Sequence, residues 1–81
     1  MPFDGPIGLL IVECISTQFG VPKSTILETT TASDVAGWDS FGHAQLIMQI
    51  EMRLGSELPL EALLDAQDVG GLVALVERAR A

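Results

Sequence analysis

Basic side chains are scarce in this sequence: four Lys and Arg stand against eleven Asp and Glu, for a net charge of −7. Between Ser24 and Val76 the only one is Arg53, set against Glu28, Asp34, Asp39, Glu51, Glu57, Glu61, Asp65 and Asp68. A field of that sign repels phosphate backbones, so it disfavours nucleic acid as a partner and favours proteins. Cysteine is nearly absent as well. Cys14 stands alone, which excludes an internal disulfide and a multi-cysteine metal site, and the single histidine, His43, adds little to any ligand set. That usage fits a reducing, cytoplasmic setting with no metal centre. No apolar run approaches the ~20 residues that cross a bilayer, and Pro2, Phe3 and Asp4 are not the basic start of a secretory signal. A soluble chain without a membrane role is expected.

What is present is enough to fold. Apolar residues make up 48% and charged residues 19% of the 81, which suits one compact domain over residues 1–81 and leaves no room for a second. Met1 and the end at Ala81 are read as the bounds of a whole protein, expected to be a monomer.

Asp4-Gly5-Pro6 offers a capping acid or glycine followed by a proline whose missing N–H does no harm at a helix start. Ile7, Ile11, Cys14, Ile15 and Phe19 then recur at helical spacing, and Gly20 is a suitable stop. Residues 21–39 contain Pro22, Thr29-Thr30-Thr31, Ser33-Asp34 and Gly37, which predicts a long connection anchored by Val21, Ile26, Leu27, Val35 and Trp38. Asp39 or Ser40 opens a second helix that runs to about Leu54 before Gly55. Leu58-Pro59-Leu60 leads into a short helical turn through Leu64. Asp68 caps a last helix holding Val69, Leu72, Val73 and Val76. No strand alternation occurs, so the expected fold is all-α: a small four-helix bundle of three longer helices and one short one, with the long loop between helices 1 and 2.

The second helix has two apolar ridges. Leu46, Ile50 and Leu54 are spaced by four and suit a core; Ala44, Met48 and Met52 form another such series, displaced by ~200°. If the first ridge is inside, the second faces out. Counted backward, the outer ridge begins at Ser40, and methionine is adaptable enough to suit a surface that receives a partner.

Three readings of Ser40 follow from the residues. It can be a plain helix N-cap, although Asp39 can do that work. With Asp39 and His43 it can suggest a hydrolase, but a surface serine in a small helical domain lacks the orienting carboxylate, oxyanion hole and dry pocket that a triad needs. His43 is instead read as a solvent-exposed helix residue. Finally, Ser40 can be an attachment point, since a helix N-terminus offers free N–H groups and a positive dipole end to an esterified phosphate.

The stretch Gly37-Trp38-Asp39-Ser40-Phe41-Gly42-His43, then an apolar helix and Glu57-Leu58-Pro59, resembles the acyl carrier protein family over nearly the whole chain. The Asp-Ser-Leu-type motif is short, but its place after a long loop and before the second of four helices makes it specific. The resemblance implies a right-handed four-helix bundle. It implies that Ser40 receives 4′-phosphopantetheine from coenzyme A through a separate, magnesium-dependent phosphopantetheinyl transferase, making a phosphoprotein. The arm's thiol would hold acyl groups as thioesters and present them to a loading ligase and to synthase or transferase enzymes, while the domain catalyses nothing. Asp39 matches the motif acid expected to help the transferase complex and its metal; Phe41 replaces the commoner leucine; Trp38 would close the end of the loop.

Family members serving fatty-acid synthesis tend to carry several acids on the second helix. Here Gln45, Gln49, Met52 and Arg53 leave Glu51 as the only acid after Asp39. That departure points to a specialised fatty-acid- or polyketide-like pathway, with a dedicated partner docking on Phe41, Ala44, Met48, Glu51 and Met52. Asp-Ser-Phe-Gly with Gln45-Leu46 is also similar to D-alanyl-type aminoacyl carriers. An aminoacyl carrier and an unmodified helical interaction module stay as alternatives.

Overall fold

A computed structural model describes residues 5–59 and 66–80. Among these residues there are three α-helices and no strand: α1 (Pro6–Phe19), α2 (Ser40–Leu54) and α3 (Val69–Arg80). The most extensive helix pairing is α1 against α2, and α3 packs on α1. The expected short helix ending at Leu64 falls at residues outside the described ones, as does Asp4.

α1 starts where proline permits and ends where glycine does. Gly5 is its N-cap with Pro6 at the first helical position, and Gly20 turns to φ 69°, donating its N–H to the Ser16 carbonyl at 2.9 Å. That left-handed turn costs glycine nothing. Ile11, Cys14 and Ile15 are wholly buried, with Ile7 and Phe19 packed at the margin of the same core. α2 contributes Leu46, Ile47 and Ile50, and α3 contributes Val69, Leu72, Val73 and Val76. The Cys14 thiol is pushed up by its burial, which keeps it in the unreactive protonated form.

The connection of residues 21–39 holds itself together. It contains two 3₁₀ turns, Lys23–Thr25 and Ala32–Asp34. Its threonines bond locally: Thr25 Oγ1 donates to the Pro22 carbonyl at 2.7 Å, Thr30 Oγ1 accepts from the Leu27 N–H at 2.9 Å, and Asp34 Oδ2 accepts from the Thr31 N–H at 2.9 Å. Ile26, Val35 and Trp38 are the buried anchors and Val21 is partly covered. Leu27 is a correction, since its side chain is 59% exposed. The backbone at Ile26 is extended, so consecutive side chains point in opposite directions and only Ile26 turns inward.

The loop is also fastened to α3. Val69 N–H donates to the Thr30 carbonyl at 2.9 Å and Gly70 N–H to the Glu28 carbonyl at 2.8 Å, while Asp68 Oδ1 accepts from Gly71 N–H at 2.8 Å. These bonds satisfy amides that the helix itself leaves without partners.

Two carboxylates tie this frame to pH. The Arg53 guanidinium, 2.8 Å away and assisted by Lys23, holds Glu13 below its ordinary 4.5; the Thr31 amide and hydroxyl hold Asp34 below 3.8. Because both folded values are depressed, their stabilising contribution is present above the unfolded values and is lost as pH falls through the folded ones. Glu13 is half exposed, so the effect is small and salt-sensitive. Carboxyl carbon NMR should therefore titrate both groups below their ordinary values, and Arg53→Gln should raise Glu13 while leaving Asp34 in place.

Candidate functional site

The loop meets α2 at Asp39. Its backbone is extended, its Oδ1 accepts the Gly42 N–H at 2.8 Å, and its carbonyl accepts the His43 N–H at 2.8 Å. This is an N-cap, worth ~1 kcal/mol to a helix. Ser40, the first helical residue, is exposed, and its hydroxyl is not needed for the cap that Asp39 already makes. It stands at the positive end of a 15-residue helix.

An aromatic stack braces this junction. Trp38, 9% exposed, lies parallel to Phe19 at the end of α1, with centroids 5.3 Å apart, and to His43 in the first turn of α2, at 6.1 Å. Trp38 Nε1–H donates to His43 Nδ1 at 3.0 Å, which places the proton of a neutral imidazole on Nε2. His43 is therefore half-buried and bound to the loop, contrary to the exposed position expected for it. Trp38, held at the loop end, supplies the imidazole with a donor and so keeps it against the loop.

Gly42 is the residue that sequence reasoning passed over. A Cβ there would collide with the Gly37 carbonyl oxygen and come within 3.0 Å of Phe19 Cε1. Gly37 turns at φ 89° to bring that carbonyl in. The available signal was a glycine in the first turn of a helix, where it costs ~1 kcal/mol relative to alanine and so needs a packing reason.

The outer ridge of α2 runs away from Ser40. Ala44 is exposed, Met48 is 61% exposed and Met52 is 80% exposed, while Phe41, beside the serine, is 73% exposed. Leu46 and Ile50 are fully buried on the other side. Glu51 belongs to neither surface in full: it is half-buried, and Oε2 accepts the Leu58 N–H at 2.8 Å. The structure thus gathers Asp39, Ser40, Phe41, Ala44, Met48 and Met52 around one end and one face of α2, and turns the Glu51 carboxylate toward the following loop.

A helical frame that presents an exposed serine on a capped, braced helix start defines a carrier-type domain. The chain matches the family model described as phosphopantetheine attachment site over residues 10–76, and it belongs to that family. Such a domain is the site of covalent 4′-phosphopantetheine attachment, and the protein is a carrier bearing that group. Phosphopantetheinyl transferases and synthases are the general partners of such domains. Among the described residues, no helix is long and apolar enough to cross a membrane.

Proposed function

We propose that Ser40 is the attachment residue and that the chain carries acyl groups for a specialised fatty-acid- or polyketide-like pathway. The observation behind the first half is that Ser40 is exposed at the first position of α2 while Asp39 satisfies the helix end. The residues present suit a phosphodiester: the site has room, a helix N-terminus to face the anion, and a hydroxyl with no structural duty there. In the reaction, the Ser40 Oγ–phosphorus bond forms, the bond from that phosphorus to the adenosine 3′,5′-bisphosphate portion of coenzyme A breaks, and the hydroxyl proton leaves. A transferase performs it; the chain contributes the acceptor. Once attached, the group supplies a thiol on a flexible arm that holds cargo as a thioester.

The second half rests on the outer face of α2. Phe41, Ala44, Met48 and Met52 form an uncharged exposed strip, and Glu51 at its edge is the only acid on α2. Such a strip suits a dedicated partner recognised by apolar contact more than by charge. We read the chain as one carrier domain over residues 1–81, monomeric and cytoplasmic, and without catalytic residues of its own.

Intact-mass spectrometry tests the attachment. Incubation with coenzyme A, magnesium and a broad-specificity transferase should add the mass of one phosphopantetheine, and Ser40→Ala should abolish the gain. A gain that survives the substitution would place the group elsewhere; no gain on the wild-type chain would remove the reading. Thiol counting gives an independent check, because Cys14 is the only cysteine and is 0% exposed. The native unmodified chain should show no rapidly reacting thiol, and the modified chain one.

A further inference from the structure

The residue before a helix cap and the residue four places after the cap often pack together, an apolar pairing that sets the angle at which the chain enters the helix. Here Asp39 is the cap, so those places fall to Trp38 and His43. They meet through a directed bond where an undirected apolar contact is usual. Their ring planes differ by only 14°, so the indole N–H can lie along the lone pair of His43 Nδ1, at 3.0 Å. Trp38 is itself held: it stacks on Phe19 with centroids 5.3 Å apart, and its backbone N–H donates to the Val35 carbonyl at 3.2 Å. An entry angle fixed at both rings leaves little play in the residues between them, Asp39 to Gly42.

Ser40 is one of those residues, and its chemistry depends on direction. In the transfer proposed for it, the Oγ–phosphorus bond forms while the bond from phosphorus to the adenosine 3′,5′-bisphosphate portion of coenzyme A breaks and the hydroxyl proton leaves. The oxygen must approach in line with the departing group, and a misplacement of about 1 Å can cost about a hundredfold in rate. Ser40 is exposed, so its backbone has to do the aiming that packing does for an enclosed side chain. The Asp39 cap fixes where α2 begins, yet caps of that kind serve helices whose loops arrive from many directions. Direction is set by what Trp38 touches. Phe19 and Val35 hold it to α1 and to the loop, and His43 ties it to α2.

We infer that His43 is a positioning residue for phosphopantetheine transfer: by accepting from Trp38, its Nδ1 orients the Asp39-Ser40 joint and so aims the Ser40 hydroxyl at the incoming phosphorus. This rests on the reading of Ser40 as the attachment residue, and adds that the rate depends on a bond one turn away from it. The whole unmodified chain carries its own probe, because Trp38 is the only tryptophan. A cavity of about 40 Å³ lined in part by Trp38, His43 and Leu72 has room for a water that could replace a lost acceptor. His43→Leu is therefore the variant to use, since it keeps the bulk and cannot accept; His43→Asn returns an acceptor near the place of Nδ1. In ¹H–¹⁵N NMR the single indole N–H signal should move upfield in His43→Leu and stay near the wild type in His43→Asn. Single-turnover mass spectrometry follows the transfer, with a broad-specificity transferase in excess and coenzyme A and magnesium saturating. The maximal rate should fall about tenfold in His43→Leu and stay within about threefold of the wild type in His43→Asn, with the half-saturating transferase concentration within about twofold in both. Trp38→Phe, which removes the donor and keeps a ring on Phe19, should lose the same factor, and the double variant no more than either single one.

A His43→Leu chain with the helical circular-dichroism signal and the maximal rate of the wild type overturns the inference. Weaker half-saturation at an unchanged maximal rate gives His43 a part in binding and overturns it equally. So does a His43→Asn chain that keeps the indole signal but not the rate, or a double variant that loses the product of the two single factors. If His43→Leu does not fold, the inference stands only when Trp38→Phe is slow and His43→Asn is not. Transfer that Ser40→Ala abolishes but that proceeds equally fast without the His43 acceptor removes positioning alone, whereas transfer that survives Ser40→Ala removes the reading of Ser40 and positioning with it.

Discussion

Adding one methyl group at Gly42 is expected to destabilise the protein by about 3 kcal/mol, the upper end of overpacking effects in a tight site. The usual effect of Gly→Ala in a helix is the opposite, a gain of up to ~1 kcal/mol. The reversal comes from what the new Cβ meets. The Gly37 carbonyl is backbone and cannot rotate away, and Phe19 is held in the Trp38 stack. Relief would require moving the end of the loop off α2, which breaks the Asp39–Gly42 bond that caps the helix. For a domain of this size the shift in melting temperature would be at least ~10 °C. Thermal circular dichroism measures it, and Trp38 fluorescence should shift toward longer wavelength as the stack opens. Because Ser40 sits between the cap and the collision, modification of Gly42→Ala should also be slower. A melting curve equal to that of the wild type would show that the loop end does not depend on this close approach.

Two substitutions only two residues apart should give opposite results. Ile50 is wholly buried in the core, and Ile50→Glu would remove its packing and enclose a carboxylate in an apolar interior. Lost packing and an unpaired buried charge together cost more than ~4 kcal/mol, comparable to the ~4–12 kcal/mol that stabilises a domain of this length. The helical signal at neutral pH should largely disappear. Met48→Glu lies on the opposite face, at 61% exposure, and should leave the signal unchanged and the unfolding free energy from urea titration within ~0.5 kcal/mol of the wild type. If Met48→Glu unfolded the chain, the outer ridge would be core and the proposed docking surface would be lost with it.

Much of the fold was legible because it is written in local rules. Pro6 and Gly20 bound α1, Asp39 and Gly55 bound α2, and Asp68 opens α3, each through backbone chemistry that acts within a few residues. The two ridges of α2 were readable from spacing alone, since a helix advances by a constant angle per residue. Leu27 was misjudged for the same reason in reverse: in a loop no period exists, and only the extended backbone at Ile26 decides which neighbour turns in. The site was legible in part. A motif picks out Asp39 and Ser40, but His43 looked like a surface residue and Gly42 like an incidental one.

Order along the chain therefore determined the helices, their limits, the capped serine and the apolar strip below it. Contacts between distant segments decided the rest: Phe19 stacked on Trp38 and His43 hydrogen-bonded to it, the carbonyls of Glu28 and Thr30 on the start of α3, and Gln18 joining the two glutamines of α2. The physical reason is range. Capping and periodicity are settled by neighbours in sequence, whereas a stack or a hydrogen bond between residues many positions apart exists only after the core has brought their backbones together.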